Sequence, residues 1–175
     1  LMKADGRGVK HTDLAAQVRR QIVAGRYARG TRLPTHSELE RRFGASSVTV
    51  QRALDALARE GFIEVKGRRQ GTFVAANPPH LSRYGMVSPY ATSSPSWSRY
   101  WTAIANAAAE IEVTTSQKLF FYNGVEVHAD NENYLRLLHD IREHALAGVI
   151  YAGELDLTGS PLMKQWDFPC VALAK

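Results

Sequence analysis

The sequence predicts a two-domain α/β protein, in which three helices and a β-hairpin form the first domain and a parallel α/β sheet forms the second. Three observations support this prediction. Two short amphipathic segments joined by a glycine turn lie between residues 33 and 57, a basic glycine-flanked hairpin follows, and strands alternate with helices from residue 83 onward. With 175 residues and 45% hydrophobic content, the chain can supply both domains with apolar cores.

The predicted domain boundaries follow changes in composition. We predict a disordered lead-in at residues 1–10, the first domain at 11–76, a linker at 77–82 and the second domain at 83–175. The linker contains two consecutive prolines, which favour an extended chain between two separate cores.

The net charge of +5 is unevenly divided along the chain. Residues 1–76 carry 15 Lys and Arg against 7 Asp and Glu, whereas residues 77–175 carry 7 against 10. The first part is therefore basic and the second mildly acidic. This asymmetry predicts that the first domain meets a polyanion and that the second does not.

Composition also excludes several classes of protein. The sequence has no run of about 18 apolar residues, the length needed to span a membrane, and its polar N-terminus has no signal-peptide core. The single cysteine, Cys170, excludes an internal disulfide and a cysteine-based metal cluster, and we expect it to be buried in a strand. We therefore expect a cytoplasmic, nucleoid-associated protein without a cofactor.

The first helix is indicated by apolar periodicity. Leu14, Val18 and Ile22 recur at every fourth position and predict a helix from Thr12. Arg19, Arg20 and Arg26 lie outside this apolar stripe.

Capping residues and a glycine mark where the second helix begins and ends. Thr35 can cap its first turn, and Glu38, three residues later, can complete a capping box. Leu39 and Phe43 form its apolar stripe, and Gly44 ends it because glycine tolerates a positive φ.

The third helix restarts at Ser46, which can serve as its N-cap. Its predicted inward face consists of Val50, Ala53, Leu54 and Leu57. Helix, glycine-containing turn and helix together form a helix-turn-helix, whose second helix enters the major groove of DNA.

A hairpin follows the third helix. Residues 62–65 and 72–74 are predicted strands, and the cationic segment 66–71 connects them. Three helices followed by a basic hairpin form a winged helix-turn-helix.

Residues 11–75 resemble the DNA-binding domain of the GntR family of bacterial transcription regulators. The matching motifs, in order, are Gly25-x4-Gly30-x2-Leu33-Pro34-Thr35, Leu39-x3-Phe43-Gly44, Ser46-x2-Thr49-Val50-x2-Ala53-Leu54-x2-Leu57, Gly61-Phe62-Ile63 and Gly71-Thr72-Phe73-Val74. The resemblance implies a homodimer that binds operator DNA. Ser37 and Ser47 stand where relatives often carry DNA-contacting arginines, so the family's consensus operator is not transferred.

The face of the third helix opposite its apolar residues can read bases. Arg52 can pair with guanine, Gln51 with adenine, and Val48 can contact a thymine methyl group. Hydroxyls at helix N-termini and the basic hairpin tip suit phosphates. The predicted DNA-binding residues are Thr35, Ser37, Ser46, Ser47, Val48, Thr49, Gln51, Arg52, Arg68, Arg69 and Gln70. Thr35 and Ser46 would cap their helices whether or not DNA binds.

The second domain shows alternating strands and helices, which is typical of a parallel sheet covered on both faces. Strands are predicted at residues 84–87, 118–122, 148–151 and 170–173, and helices at 98–111, 131–145 and 160–166. On these helices we expect Trp101, Leu135, Leu138 and Ile141 to be buried.

This order of elements resembles the N-terminal half of a LacI-type, periplasmic-binding-like effector domain, found in a subgroup of GntR regulators. The motifs that match are Ser94-Pro95-Ser96-Trp97, Ala147-Gly148-Val149-Ile150 and Phe168-Pro169-Cys170-Val171. The resemblance implies one lobe of a sensor, so we expect a partial domain. Tyr90, Trp97 and Tyr151 lie at or beyond strand ends, where open α/β sheets bind ligands, and are the predicted effector-binding residues. Alternatively, these aromatics only close the core.

The combined prediction is a homodimeric transcription regulator that represses through double-stranded operator DNA and is released by a small-molecule effector of the sugar or nucleoside class. Two alternatives stay open: an enzyme whose α/β catalytic domain is fused to a DNA-binding module, and a winged helix that docks a protein. We find no Ser-His-Asp signature, phosphate-cradling glycine loop, paired-carboxylate motif or metal-ligand spacing in the sequence. We therefore expect neither catalysis nor a bound metal.

Overall fold

The computed structural model describes residues 9–125, 131–152 and 168–173, and for Arg68, Arg69 and Ala152 it describes the backbone only. The chain divides into two compact units, with the boundary between Pro78 and Pro79. No helix within the described ranges is long and apolar enough to cross a membrane.

The first unit is a winged helix-turn-helix, as the sequence predicts. Its elements are helices α1 (His11–Val23), α2 (His36–Phe43) and α3 (Ser47–Glu60), strand β1 (Ile63–Val65), the one-turn helix α4 (Gly67–Gln70) and strand β2 (Thr72–Val74). β1 and β2 pair antiparallel, with Ile63 opposite Val74 and Val65 opposite Thr72. Arg32 forms an isolated antiparallel bridge to Phe73, which ties the segment before α2 to the wing.

The residues predicted to begin and end α2 and to cap α3 do so in the structure. The Thr35 side chain accepts from the backbone N–H of Glu38 while the Glu38 carboxylate accepts from the backbone N–H of Thr35, which completes the capping box of α2. Gly44 ends α2 at φ +61°, and the Ser46 hydroxyl caps α3. These short-range bonds fix the helix-turn-helix geometry locally.

One core holds the three helices and the wing together. Its buried apolar residues are Leu14, Ala15, Val18, Ile22, Leu33, Leu39, Val50, Ala53, Leu54, Leu57, Phe62, Ile63 and Val74. Arg19 lies off the predicted apolar stripe of α1 but is only 6% exposed. Its guanidinium pairs with Glu60 at the end of α3 and lies 5.5 Å from the centroid of the Phe62 ring.

The second unit is a parallel four-stranded α/β sheet. Its elements are the one-turn helix α5 (Pro79–Ser82), β3 (Arg83–Ser88), α6 (Arg99–Thr114), β4 (Lys118–Asn123), α7 (Glu132–Arg142), β5 (Gly148–Ala152) and β6 (Cys170–Leu173). The strands are ordered β4-β3-β5-β6, and every neighbouring pair is parallel. The helix predicted at residues 160–166 lies outside the described residues.

The two longer helices of this unit cover opposite faces of the sheet. Met86 of β3 packs in a cluster with Trp101 of α6, whereas Val87, the next residue along β3, packs in a cluster with Leu137 of α7. This alternation follows from the period of two in a strand.

Three sequence expectations for this unit differ from the structure. Leu135 is 48% exposed, because the buried stripe of α7 runs through Tyr134, Leu137, Leu138 and Ile141 instead. Cys170 is exposed, because β6 is the outermost strand of the described sheet. Within the predicted extended linker, residues 79–82 form a helical turn that starts at a proline. Proline is favoured in the first turn of a helix because its fixed φ is already helical.

Candidate nucleic-acid interface

The helix α3 separates an apolar inward face from a polar outward face. Val50 and Leu57 are fully buried, whereas Val48 is 60% exposed. Gln51 and Arg52 are exposed beside Val48, on the side turned away from the core. The structure thus brings together the three residues that sequence reasoning assigned to base recognition.

The N-terminus of α3 presents hydroxyl groups. The Ser46 Oγ accepts from the backbone N–H of Thr49 at 3.2 Å and lies 2.9 Å from the Thr49 Oγ1, so the two hydroxyls are linked. Ser46 and Ser47 are exposed. The free backbone N–H groups and the positive dipole end of this helix favour an anion such as a phosphate.

The N-terminus of α2 is occupied by its own capping box. The Glu38 carboxylate accepts from the Thr35 backbone N–H at 2.7 Å and from the Thr35 hydroxyl at 2.8 Å. These hydrogen bonds, the backbone one first, lower the pKa of Glu38, and Arg41 and Arg32 add to the effect. The Thr35 hydroxyl proton is therefore engaged, while Ser37 beside it is exposed.

The wing contributes its backbone turn. Arg32, which the sequence analysis did not single out, lies against it from the segment before α2. Gly71 has φ +93°, a backbone conformation that favours glycine, and Nε of Arg32 lies 2.7 Å from where a Cβ would stand. Arg32 thus lies against the base of the wing. Gln70 is exposed, whereas the side chains of Arg68 and Arg69, both predicted contacts, lie outside the described parts of the chain.

A basic cavity lies beside α2. It has a volume of about 680 Å³, and its lining residues are Tyr27, Arg32, Leu33, Pro34, Thr35, Glu38, Arg41 and Arg42. Within it, Nη1 of Arg42 donates to the Tyr27 hydroxyl at 2.8 Å. The position of Arg32 directly before Leu33-Pro34 is the sequence signal that could have placed it here.

The predicted effector residues of the second unit separate into two groups. Tyr90 and Trp97 follow β3, at the carboxyl edge of the sheet, and each ring centroid lies 5.9 Å from that of Trp101. Trp101 is buried, as predicted, and Tyr90 is 37% exposed. The sheet edge therefore carries a cluster of aromatic rings.

Tyr151 does not belong to this aromatic edge. It is only 3% exposed, since its side chain faces α7 from the inner strand β5. Burial raises the pKa of Tyr151 above its usual value. The burial of Tyr151 fits the alternative that these aromatics only close the core.

The described residues hold no group of three His, Cys, Asp or Glu side chains that could bind a metal ion. The outward face of α3 exposes Ser47, Gln51 and Arg52, which can donate hydrogen bonds, beside Val48 and Asp55; Oδ1 of Asp55 accepts from Nε2 of Gln51 at 2.8 Å. This donor set suits hydrogen bonds to bases and phosphates.

The three helices, the hairpin and the exposed polar face of α3 define a winged helix-turn-helix domain. Residues 10–74 match the family model described as bacterial regulatory proteins, gntR family. The match supports the resemblance predicted from the sequence for the first unit.

A known regulator is similar to part of the chain. Over 64 residues the chain is 45% identical to the HTH-type transcriptional regulator Rv0792c of Mycobacterium tuberculosis, a match that covers 37% of this chain and 23% of that relative.

Two solved structures are also similar to the chain. The DNA-binding domain of AraR in complex with operator ORX1 is 26% identical and aligns over 43% of this chain and 93% of its own, with a TM-score of 0.37. A transcriptional regulator from Oenococcus oeni is 16% identical and aligns over 81% and 97%, with a TM-score of 0.38.

Proposed function

We propose that this protein is a transcription regulator that binds operator DNA through its winged helix. One observation carries the proposal: residues 10–74 form a gntR-family domain whose α3 turns Val48, Gln51 and Arg52 outward. The excess of positive charge in residues 1–76 favours binding to a polyanion.

We assign the roles at the interface by chemistry. Arg52 donates to guanine, Gln51 pairs with adenine and Val48 contacts a thymine methyl group. Phosphate contacts come from the wing and from the hydroxyls at the two helix N-termini, where the Thr35 hydroxyl exchanges its bond to Glu38 for one to a phosphate. These residues are Thr35, Ser37, Ser46, Ser47, Thr49, Arg68, Arg69 and Gln70. Phosphate contacts set the register, and base contacts set the sequence that is read.

The regulator acts as a homodimer and a repressor in this proposal. Two winged helices related by a twofold axis place their recognition helices about 34 Å apart, so the operator is a pseudo-palindrome with half-sites about one turn apart. An effector that binds one dimer geometry better shifts that geometry and with it the affinity for DNA.

The second unit is the proposed effector domain, of the LacI-like type. A parallel sheet binds ligands at the carboxyl ends of its strands. There, Tyr90 and Trp97 offer aromatic faces supported by Trp101. Such faces stack on a sugar or a nucleoside base, which are the proposed effector classes.

Selection of duplexes from a pool of genomic fragments, followed by a salt titration, tests the DNA-binding proposal. Affinity driven by phosphates falls steeply and log-linearly with salt concentration. Arg52→Ala should weaken binding to the selected duplex about tenfold or more. Arg59→Ala removes the same charge from an exposed site near the other end of α3, and should change affinity much less.

If Arg52→Ala binds the selected duplex as the parent does, Arg52 does not read the operator. If the parent selects no duplex at all, the alternative that the winged helix docks a protein is favoured. Repeating the selection with a panel of sugars and nucleosides tests the effector proposal, since one compound should release the duplex. Turnover of any of these compounds would instead favour the enzyme alternative.

A further inference from the structure

The outward face of α3 carries a carboxylate that a phosphate-facing surface does not favour. Asp55 is exposed one helical turn after Gln51, and Arg52 lies beside them. On a surface that approaches DNA, this negative charge repels the phosphate backbone. Its presence there calls for a role that offsets this repulsion.

The role follows from the hydrogen bond between the two side chains. Oδ1 of Asp55 accepts from Nε2 of Gln51 at 2.8 Å. A glutamine amide has two donor hydrogens on nitrogen and an acceptor oxygen, whereas an ionised carboxylate only accepts. Asp55 can therefore hold the amide in just one of its two flipped orientations, with the nitrogen toward Asp55.

We infer that Asp55 is a positioning residue that orients Gln51 for reading an adenine in the major groove. Adenine presents an acceptor at N7 and a donor at N6, and glutamine matches both only when its amide is correctly oriented. The second N–H of Gln51 donates to N7, and its Oε1 accepts from N6. The inference rests on the proposed function, because it concerns how α3 reads its operator.

The expected size of the effect follows from the freedom that the bond removes. Immobilising a flexible side chain at an interface costs affinity equivalent to about two- to tenfold. If Asp55 holds Gln51 in place before binding, that cost is removed for the A·T pair that Gln51 contacts. The gain then appears as preference for one base pair, whereas the charge repulsion weakens binding to every duplex alike.

The test uses the full chain and a pool of randomised DNA duplexes. Selection with the parent protein gives a half-site, and affinities for single base-pair changes give the preference at each position. Gln51→Ala identifies the position that Gln51 reads, because the preference for A·T is lost there. Asp55→Ala should reduce that preference about two- to tenfold and leave the other positions unchanged.

A double-mutant cycle separates positioning from charge. In the Gln51→Ala background, Asp55→Ala should no longer alter the preference, although it should still raise affinity for all duplexes at low salt. Asp55→Glu keeps an acceptor-only group at the same helical spacing and should keep the preference within about twofold. Both positions are exposed, so circular dichroism should show the same thermal unfolding for each variant.

Several outcomes would overturn the inference. These are an Asp55→Ala variant that keeps the full preference, an Asp55→Ala variant that weakens the preference at every position alike, or a Gln51→Ala variant that changes no position. In each of these cases the proposed function stands as long as the parent protein selects a half-site. If the parent selects no sequence at all, the proposed function and this inference fail together.

Discussion

Arg19 of α1 and Glu60 of α3 are joined by a two-pronged ion pair. Nη2 of Arg19 lies 2.6 Å and Nε 3.2 Å from the same oxygen, Oε2 of Glu60. The arginine is buried, and its guanidinium also lies over the ring of Phe62. This pair therefore holds the end of α3 against α1, at the point where the chain turns into the wing.

We predict that Arg19→Ala destabilises the first unit by about 1–3 kcal/mol, because it removes charge-assisted hydrogen bonds from a buried site. Arg20→Ala, at an exposed neighbour in the same helix, should change stability by less than about 0.5 kcal/mol. Urea unfolding followed by far-ultraviolet circular dichroism reports the difference. All three tryptophans lie beyond residue 78, so their fluorescence reports the second unit separately. Equal midpoints for the two variants would refute a stabilising role for this pair.

The N-terminal cap of α3 leads to a second prediction. Ser46→Ala removes the hydroxyl that accepts from the Thr49 N–H, and should cost about 1 kcal/mol of stability. Ser47→Ala, one residue later and without a capping role, should cost less than half of this. Chemical denaturation of both variants decides the matter, and a larger loss for Ser47→Ala would show that the cap is misassigned.

The exposed edge of β4 is covered by side chains. The Glu112 carboxylate accepts from the Leu119 N–H at 2.9 Å, and Nη2 of Arg136 donates to the Phe121 carbonyl at 3.3 Å. Within the described sheet, β4 pairs with β3 and has no strand on its other side. Glu112 and Arg136 thus engage backbone groups that could otherwise pair with a strand of another chain.

We predict that the double substitution Glu112→Ala and Arg136→Ala promotes association beyond the parent's oligomeric state, because it frees this strand edge. Analytical ultracentrifugation over a range of concentrations measures the change. Glu110→Ala with Arg142→Ala removes the same charges from exposed positions on the same two helices and serves as the control. Identical sedimentation of the two double variants would argue against edge protection.

The second unit should lose stability in mild acid. Burial, with a smaller contribution from His144, lowers the pKa of His80 below its usual value of 6.5. Because the unfolded chain then binds a proton more readily, the stabilising contribution is present above about pH 6.5 and is lost as the pH falls below it.

Unfolding of the parent protein followed by tryptophan fluorescence at about pH 8 and about pH 5.5 measures this dependence. His80→Gln should flatten the pH dependence, whereas His139→Gln, at an exposed position of α7, should preserve it. A pH dependence unchanged by His80→Gln would assign the acid sensitivity to another group.

Features that depend on a few neighbouring residues were predictable from the sequence. The capping box of Thr35 and Glu38, the positive φ of Gly44 and the cap at Ser46 are all short-range, so their residue types suffice to predict them. The apolar face of α3 was equally predictable, because its period matches the helix. The outward positions of Gln51 and Arg52 follow from the same period.

Features that depend on distant residues came only from the tertiary structure. Arg19 is buried because Glu60, 41 residues later, supplies its counter-charge. Tyr151 is buried and Cys170 exposed because the strand order places β5 inside the described sheet and β6 at its edge, an order that strand spacing does not encode. The chain by itself therefore determined the helix-turn-helix and the outward polar face of α3 through local bonds and periodicity. Only the folded arrangement decided which charges and rings are removed from water, because burial depends on contacts between residues far apart in the chain.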